Sequence, residues 1–363
     1  MPTFRPDLAQ IPVYTPGRPI EEVARDFGIE EVIKLASNEC PVPPFPEVRR
    51  AIADATADLH RYPENSAYVL VAGLSDHYQI PGENIWVSAG STQVLGSIAM
   101  SAGGRGTSMV FAQPSFVMYG IYAMICGSES IAVPLDAQHR HDLDEMLAAI
   151  REDTTVVYLC NPNNPTGTHN SGDEVRRFID AVADRVLIVV DEAYAEFATA
   201  EDYASSIPLA LERDNVIVTR TFSKAYGLAG LRVGYAIGQA GTVAMLRRTQ
   251  LPFTVTSLGQ VAATEALRHQ DQLRQRIADN AAGRAWLTEQ LGARNVAVAP
   301  SQANFVMVLT HHDPAALARA FLERGVIIRT LGSMTRVSVG TPAENERFIS
   351  VWDEVAPTLA ASH

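Results

Sequence analysis

The feature that most constrains the fold is an alternation between short, apolar, β-rich runs and longer stretches of helical periodicity across residues 85–238. The runs are IWVSAG, SMVFAQ, ESIAVPL, TVVYLCN, VLIVVDEAY, NVIVTRTFS and RVGYAIG. Strands that alternate with helices pair mostly in parallel and have helices packed on them. We therefore predict an α/β fold with a mostly parallel sheet covered by helices on both faces.

The chain of 363 residues exceeds the usual size of a single hydrophobic core. After about residue 252 the pattern changes to long helical stretches followed by a few short strands, which indicates a smaller α+β domain. We expect residues 1–35 to pack on that small domain and on the pocket, residues 36–252 to form the large domain, and residues 253–363 to form the small one.

Several strands of the predicted sheet stop directly on polar or glycine-rich residues. These stops fall at residues 88–92, 161–167, 191–194 and 223–224. In an open α/β sheet the carboxyl ends of the strands line one crevice, so distant parts of the chain converge there. A single site can therefore draw on all four segments.

The segment TRTFSKAYGLAGLRVGYAIG, residues 219–238, contains a lysine at a strand end and an arginine in a glycine-rich turn. Lys224 is suited to condense with an aldehyde as a Schiff base, while Thr221, Ser223 and Arg232 can hold a phosphate. The alternative, for this segment alone, is a surface lysine beside a structural arginine.

Three further motifs supply groups that would bind a cofactor with an aldehyde, a phosphate and a pyridine ring. Asp191 ends an apolar strand, where a carboxylate is costly to bury unless it meets a cation such as a protonated pyridine nitrogen, and Tyr194 can bond the phenolic oxygen of that ring. Asn164 lies in the constrained turn NPNNPTG, and Ser91 and Thr92 open a helix whose N–H groups can cradle an anion. By themselves, the last two motifs are equally typical of plain turn chemistry and an ordinary helix cap.

Charge and cysteine usage exclude several classes of function. The net charge of −12 argues against nucleic acid and anionic membranes as partners. Cys40, Cys126 and Cys160 have no paired spacing, so neither a disulfide framework nor a metal site is indicated. No signal peptide, membrane-length apolar run or GxGxxG fingerprint is found, and we expect a cytoplasmic protein without a Rossmann nucleotide site.

The motifs NPNNPTG, VVDEAY and FSKAYGLAGLRVGY, in this order and with Asn164, Asp191 and Lys224 spaced 27 and 33 residues apart, resemble the fold-type I aminotransferases that depend on pyridoxal 5′-phosphate (PLP). YTPGRPIEEVARDFG, KLASNE, RYPE, QANFV, GVIIR and RVSVGTPAEN are similar to the branch of histidinol-phosphate and aromatic amino acid (phenylalanine) aminotransferases. The resemblance covers nearly the whole chain.

This resemblance implies a role for each matching residue. Lys224 is expected to carry PLP and act as the catalytic base, with the other cofactor contacts made by Asp191, Asn164, Tyr194, Ser91, Thr92, Thr221, Ser223, Arg232 and, over the ring, Phe116. Tyr62 is expected to reach the cofactor phosphate of the neighbouring subunit, which implies a homodimer. Tyr14, Arg329 and Arg336 are expected to bind the substrate, Arg336 at its anionic end.

Two departures from the histidinol-phosphate pattern bear on the substrate. Thr92 and Gln93 stand where that group has an acidic pair, and only six residues separate Arg329 from Arg336. We therefore expect transfer of the amino group of phenylalanine, tyrosine or tryptophan to 2-oxoglutarate by a ping-pong mechanism. The alternatives are a histidinol-phosphate aminotransferase, a related PLP decarboxylase or oxidase, and the sensing half of a transcription regulator, which the acidic charge disfavours.

Overall fold

The computed structural model describes residues 3–13, 16–310, 312–332 and 334–359. Its strands are β1 (Ile33–Lys34), β2 (Ile85–Ser88), β3 (Ser108–Gln113), β4 (Glu129–Pro134), β5 (Thr154–Cys160), β6 (Leu187–Asp191), β7 (Val216–Thr221), β8 (Gly234–Gly238), β9 (Ala297–Ala299), β10 (Phe305–Leu309), β11 (Val326–Ile327), β12 (Arg329–Leu331) and β13 (Met334–Ser338). Each of the seven runs expected from the sequence overlaps one of the strands β2–β8.

The α-helices between and after these strands complete the layers. They are α1 (Ile20–Phe27), α2 (Pro46–Ala55), α3 (Tyr68–Tyr78), α4 (Ser91–Ala102), α5 (Met118–Cys126), α6 (Leu143–Ala148), α7 (Gly172–Ala181), α8 (Ile207–Glu212), α9 (Ala240–Leu246), α10 (Ser257–Arg268), α11 (Gln270–Gly292), α12 (Pro314–Leu322) and α13 (Pro342–Val355). Among the described residues, no helix is long and apolar enough to cross a membrane.

The large sheet has the strand order β2-β8-β7-β6-β5-β3-β4. Pairing is parallel from β7 to β4, whereas β8 runs antiparallel to both of its neighbours, β2 and β7. The inner strands β6 and β7 are buried on both faces, and β6 up to Val190 and the first half of β7 are apolar, as expected for a parallel sheet between two helical layers. The predicted α/β class with a mostly parallel sheet is confirmed.

Successive residues of the inner strands point into two different cores. Val157 and Ile188 pack on the side covered by α3, α7, α8 and α10. Val156 and Val189 pack on the opposite side, which α4, α5 and α9 cover. Helices thus cover both faces of the large sheet. A functional site can form at the ends of its strands, where the polar residues lie.

The C-terminal part contains a second, antiparallel sheet with the order β12-β13-β10-β9. Helices α11, α12 and α13 pack on it around Phe321, Phe348 and Trp352. The N-terminal segment joins this part, because β1 pairs in parallel with β11. Helix α10 packs instead against α2 and α3. The domain boundaries at residues 35 and 252 stay a prediction.

Candidate active site

A cavity of about 740 Å³ opens at the carboxyl ends of the parallel strands, and we call it the strand-end cavity. Residues from the four predicted segments and from the small sheet meet in its wall. Of the residues singled out in the sequence, those that line it are Ser91, Thr92, Phe116, Asn164, Asp191, Tyr194, Thr221, Ser223, Lys224, Arg232, Arg329 and Arg336. Tyr62 is not among the lining residues, and Tyr14 lies outside the residues that the structure describes.

Asp191 ends β6 in the wall of the strand-end cavity and is only 2% exposed. Its Oδ2 accepts a hydrogen bond from the Tyr119 hydroxyl at 2.9 Å, and its Oδ1 accepts from the Thr219 hydroxyl at 3.1 Å and the Ala193 N–H at 3.2 Å. Burial raises the pKa of Asp191, and these three donors oppose that rise. The site therefore holds a buried carboxylate that a cation would stabilise in its ionised form.

Lys224 follows β7 and extends into the same cavity. Its Nζ donates a hydrogen bond to the Ser37 carbonyl at 3.2 Å and lies 5.9 Å from the centre of the Tyr194 ring. Burial, followed by the positive charge of Arg336, lowers the pKa of Lys224 to about 8. A far larger fraction of this amine than of an ordinary lysine is consequently neutral, and therefore nucleophilic, near neutral pH.

Arg232 and the start of α4 form a concave group of donors on one side of Lys224. Arg232 has a left-handed backbone with φ of 53°, and its Nη1 donates to the Ser223 hydroxyl at 3.3 Å and the Ala229 carbonyl at 3.1 Å. Gly90, with φ of 82°, allows this approach, because a Cβ there would lie 2.6 Å from Arg232 Nη2. The guanidinium thus meets the N-terminus of α4 at Ser91, a combination suited to bind a phosphate.

Arg336 on β13 connects the small sheet to the other side of the strand-end cavity. Its Nη1 donates to Asn164 Oδ1 at 2.5 Å, and its Nη2 donates to the Ala36 carbonyl at 2.7 Å. Arg329 on β12 is its cross-strand neighbour in the register of the small sheet. Two guanidinium groups therefore lie at the edge of the site where an anionic end of a substrate would enter.

The turn that presents Asn164 is held by two side-chain hydrogen bonds, one from outside the turn and one within it. Asn163 Oδ1 accepts from the Ser115 hydroxyl at 2.7 Å, and Asn163 Nδ2 donates to the Thr166 hydroxyl at 2.8 Å. Gly167 closes the turn with a positive φ of 76° and donates its N–H to the Asn163 carbonyl at 2.7 Å. Asn164 is thereby fixed in position before any ligand arrives.

Comparison with known proteins assigns the family. Residues 30–351 match the model of aminotransferase class I and II. The chain belongs to this family. It is 41% identical to an aromatic amino acid aminotransferase of Rhodococcus jostii, covering 96% of this chain and 95% of that one. It is 40% identical to histidinol-phosphate aminotransferase 1 of Thiobacillus denitrificans, covering 99% and 95%.

A solved structure agrees with these relatives. The histidinol-phosphate aminotransferase of Sinorhizobium meliloti, solved with pyridoxal-5′-phosphate, superposes with a TM-score of 0.91 at 30% identity over 98% of both chains. The predicted enzyme class, a PLP-dependent aminotransferase, is confirmed. The described residues also fit PLP chemically: Asp191 suits a ring cation, Lys224 an aldehyde, and Arg232 with the start of α4 a phosphate.

Two residues of this aminotransferase that sequence reasoning missed complete the site. Tyr119 donates to Asp191 from helix α5, and Asn38, with φ of 53°, donates from its Nδ2 to the Tyr194 hydroxyl at 2.9 Å. Asn38 belongs to the quoted motif KLASNE, which is where a signal for it existed. Tyr119 follows PSFVM without any distinguishing pattern.

Gln93 does not face the substrate space of this aminotransferase. It is not among the described residues that line the strand-end cavity, and its Oε1 accepts from the Ser88 hydroxyl and the Ala89 N–H, both at 2.7 Å. The residue therefore stabilises the turn in front of α4. The departure from the histidinol-phosphate pattern at Gln93 thus places no side chain in the wall of the strand-end cavity.

Tyr62 lies on the surface of this aminotransferase. It is 82% exposed, and its ring stacks on Phe253 at 4.7 Å between centroids. An aromatic pair left so exposed in one chain is typical of a surface that another molecule covers.

Proposed function

We propose that this aminotransferase transfers the amino group of an aromatic L-amino acid to 2-oxoglutarate. The observation that carries the proposal is the placement of Arg336 beside apolar side chains. Phe116, Leu331 and Met334 line the strand-end cavity together with Arg336 and Lys224. A guanidinium binds a carboxylate in bidentate fashion, and an aromatic side chain gains from burial against such a wall.

We assign the chemical steps to the side chains as follows. PLP, when bound, supplies an aldehyde that takes up the amino group and a ring that withdraws electrons from the α-carbon. Arg336 orients the substrate through its carboxylate. Lys224 Nζ, with its pKa lowered to about 8, accepts the α-carbon proton and later returns a proton. Asp191, in its ionised form, would pair with the ring nitrogen, and the Tyr194 hydroxyl, which accepts from Asn38, would have its own proton available for the ring oxygen.

An amino-donor panel tests the substrate. Purified holoenzyme is given 2-oxoglutarate and, one at a time, phenylalanine, tyrosine, tryptophan, histidine and histidinol phosphate. We expect the largest kcat/KM for an aromatic amino acid, and parallel double-reciprocal plots for a ping-pong mechanism. A higher kcat/KM for histidinol phosphate would replace this proposal with the second candidate, which the Thiobacillus relative and the paired Arg329 and Arg336 favour. Release of carbon dioxide or peroxide without stoichiometric conversion of 2-oxoglutarate to glutamate would contradict both.

We also propose that the active unit is a homodimer in which Tyr62 reaches the neighbouring strand-end cavity. The support is the 82% exposure of Tyr62 and its stacking on Phe253. Leu251, close to Phe253 in the chain, is 67% exposed. A dimer would bury these apolar groups.

Subunit mixing tests the shared site. Homodimers of Lys224→Ala and of Tyr62→Ala are each expected to have strongly reduced turnover. Exchange of their subunits creates a heterodimer in which one of two sites has both an intact Lys224 and an intact Tyr62 from its neighbour. Activity that rises on mixing supports the proposal, whereas activity that stays at the average of the two parents excludes a contribution in trans.

We also propose a cytoplasmic location for this aminotransferase, supported by the three free cysteines.

A further inference from the structure

His141 is a buried histidine that takes no part in the chemistry assigned above. It is 2% exposed and is not among the described residues that line the strand-end cavity. Its main chain pairs with Leu135, directly after β4, and its carbonyl accepts from Asn170 Nδ2 at 3.0 Å. The backbone of His141 is therefore anchored beside the turn that presents Asn164.

The hydrogen bonds of Asn163 determine which ring nitrogen of His141 carries the proton. Asn163 Nδ2 lies 3.2 Å from the Pro114 carbonyl, which can only accept, so this end of the amide is the NH2 group. The other end, Oδ1, lies 3.1 Å from His141 Nε2. Because an amide oxygen can only accept, Nε2 carries the proton and donates. Burial lowers the pKa of His141 to about 4, which keeps the ring neutral near neutral pH.

The second ring nitrogen of His141 has no comparable contact. Nδ1 is buried and accepts no hydrogen bond from the described residues. A buried acceptor without a donor destabilises a fold, and an apolar ring in the same space would avoid that cost. The bond from Nε2 to Asn163 is therefore what a histidine contributes at this position.

Asn163 connects two parts of the wall of the strand-end cavity. Its Oδ1 accepts from the Ser115 hydroxyl at 2.7 Å, and its Nδ2 donates to the Pro114 carbonyl. Residues 114–116 line the cavity, and so does Asn164, the next residue in the chain. One buried amide thus holds two segments that are expected to contact PLP.

We propose that His141 is a positioning residue, which fixes the amide of Asn163 and, through it, the placement of Asn164 and of residues 114–116 around the cofactor. The inference rests on the proposed contact between Asn164 and PLP. It does not depend on which amino donor the enzyme accepts.

The placement of Asn164 has a spectroscopic consequence. Its Oδ1 accepts from Arg336, so its Nδ2 remains as the donor for the phenolic oxygen of PLP. The proton of a Schiff base on Lys224 bonds the same oxygen, and a competing donor weakens the hold on that proton. Displacement of Asn164 should therefore raise the pKa of the Schiff-base nitrogen.

Absorbance of the bound cofactor as a function of pH tests this role without an activity assay. His141→Phe keeps a ring of similar size and removes the donor, and the pKa of the Schiff base should rise by about half a unit or more. His141→Gln places an amide N–H near the position of Nε2 and should restore the pKa to within about 0.2 units of the unmodified enzyme. His169→Phe is the matched control with an unchanged pKa, because His169 Nε2 bonds Asp202 instead, at 2.8 Å.

Asn164→Ala separates failure of this inference from failure of the cofactor contact on which it rests. If Asn164→Ala raises the pKa but His141→Phe does not, or if His141→Phe and His141→Gln raise it equally, the role of His141 is overturned. If Asn164→Ala leaves the pKa unchanged, the contact of Asn164 with PLP is wrong, and the inference is overturned with it. Should His141→Phe not fold, His141→Asn, whose amide is one methylene shorter than that of His141→Gln, takes its place in the comparison.

Nitrogen-15 NMR of the histidine rings tests the hydrogen bond itself. In holoenzyme, the His141 resonances, assigned by their loss in His141→Gln, should show a neutral ring protonated at Nε2. Protonation at Nδ1 would mean that His141 cannot donate to Asn163, and would overturn the proposal whatever the cofactor contacts.

Discussion

Tyr119 is the residue whose removal tests the electrostatic design of the site most directly. Its ring is fully buried, and its hydroxyl donates to Asp191 Oδ2 at 2.9 Å. Tyr119→Phe removes one of three donors to a buried carboxylate without changing the shape of the ring. A hydrogen bond to a charged group contributes roughly 1.5–3 kcal/mol. The ionised form of Asp191 should lose about that much, which weakens its attraction for the ring cation of PLP.

That loss converts into a measurable affinity. Since about 1.4 kcal/mol corresponds to a factor of ten, the Kd for PLP should rise about 10- to 150-fold. The assay is reconstitution of apoenzyme with PLP, followed by absorbance of the bound cofactor. The direction of the pKa change is also fixed: with fewer donors the pKa of Asp191 rises, so cofactor binding should fail at a higher pH as the solution is acidified.

Tyr158 provides the matched control. Its ring stacks on Tyr119 at 4.6 Å and is equally buried, but its hydroxyl has no hydrogen-bond partner among the described residues. Tyr158→Phe therefore removes a hydroxyl from the same stack without affecting Asp191, and the Kd for PLP should change less than about twofold. An unchanged Kd in Tyr119→Phe, or an equal rise in both variants, would refute the reasoning.

Three further outcomes are expected, which concern Lys224, the buried ion pair of Arg220 and Glu192, and Gly90. In apoenzyme, the rate at which Lys224 captures PLP should rise with pH and level off above about 8, because burial lowers the pKa of this amine. Arg220→Met leaves Glu192, only 1% exposed, without the guanidinium that contacts it at 2.7 Å, and urea unfolding should show a loss of roughly 3–5 kcal/mol. Gly90→Ala should displace the Arg232 guanidinium, which lies 2.6 Å from the position of the added Cβ. The Kd for PLP should then rise roughly tenfold, whereas the Kd for pyridoxal, which has no phosphate, should stay the same.

A specific result would contradict each of these three predictions. A capture rate that keeps rising to about pH 10, the ordinary range of a lysine, would show that Lys224 is not desolvated. Arg213→Met removes an exposed ion pair with Asp180 and should cost less than about 1 kcal/mol, so a similar cost for Arg220→Met would contradict the burial argument. Equal losses of PLP and pyridoxal affinity in Gly90→Ala would place the damage outside the phosphate-binding group.

The lowered pKa of Lys224 also sets the sign of a stability effect in the apoenzyme. An unfolded lysine titrates near 10.4, so between pH 8 and about 10 the unfolded chain binds more protons than the folded one. The free energy of unfolding should therefore rise with pH in this window through Lys224. In Lys224→Met, this rise in the free energy of unfolding between pH 8 and about 10 should be absent.

The sequence by itself determined the layered fold and the groups that end its strands. Asp191 was identifiable because it ends an apolar run, Lys224 because it follows the end of another, and Asn164 because it lies in the constrained turn after a third. Such local patterns encode both the strand and its end. The direction of β8 is different: it runs antiparallel between β2 and β7, and an apolar run of five residues contains no information about the direction of its neighbours.

The tertiary structure alone decided the contacts that tune these groups. Tyr119 meets Asp191 across 72 residues of chain, and Asn38 meets Tyr194 across 156. Gln93, beside the cofactor motif in sequence, turns instead toward Ser88. A side chain's partner depends on how helices and sheets pack around it, whereas periodicity and turn residues report only on the few positions next to them. The sequence thus identified the groups that do the chemistry, and packing determined the burial and hydrogen bonds that set their pKa values.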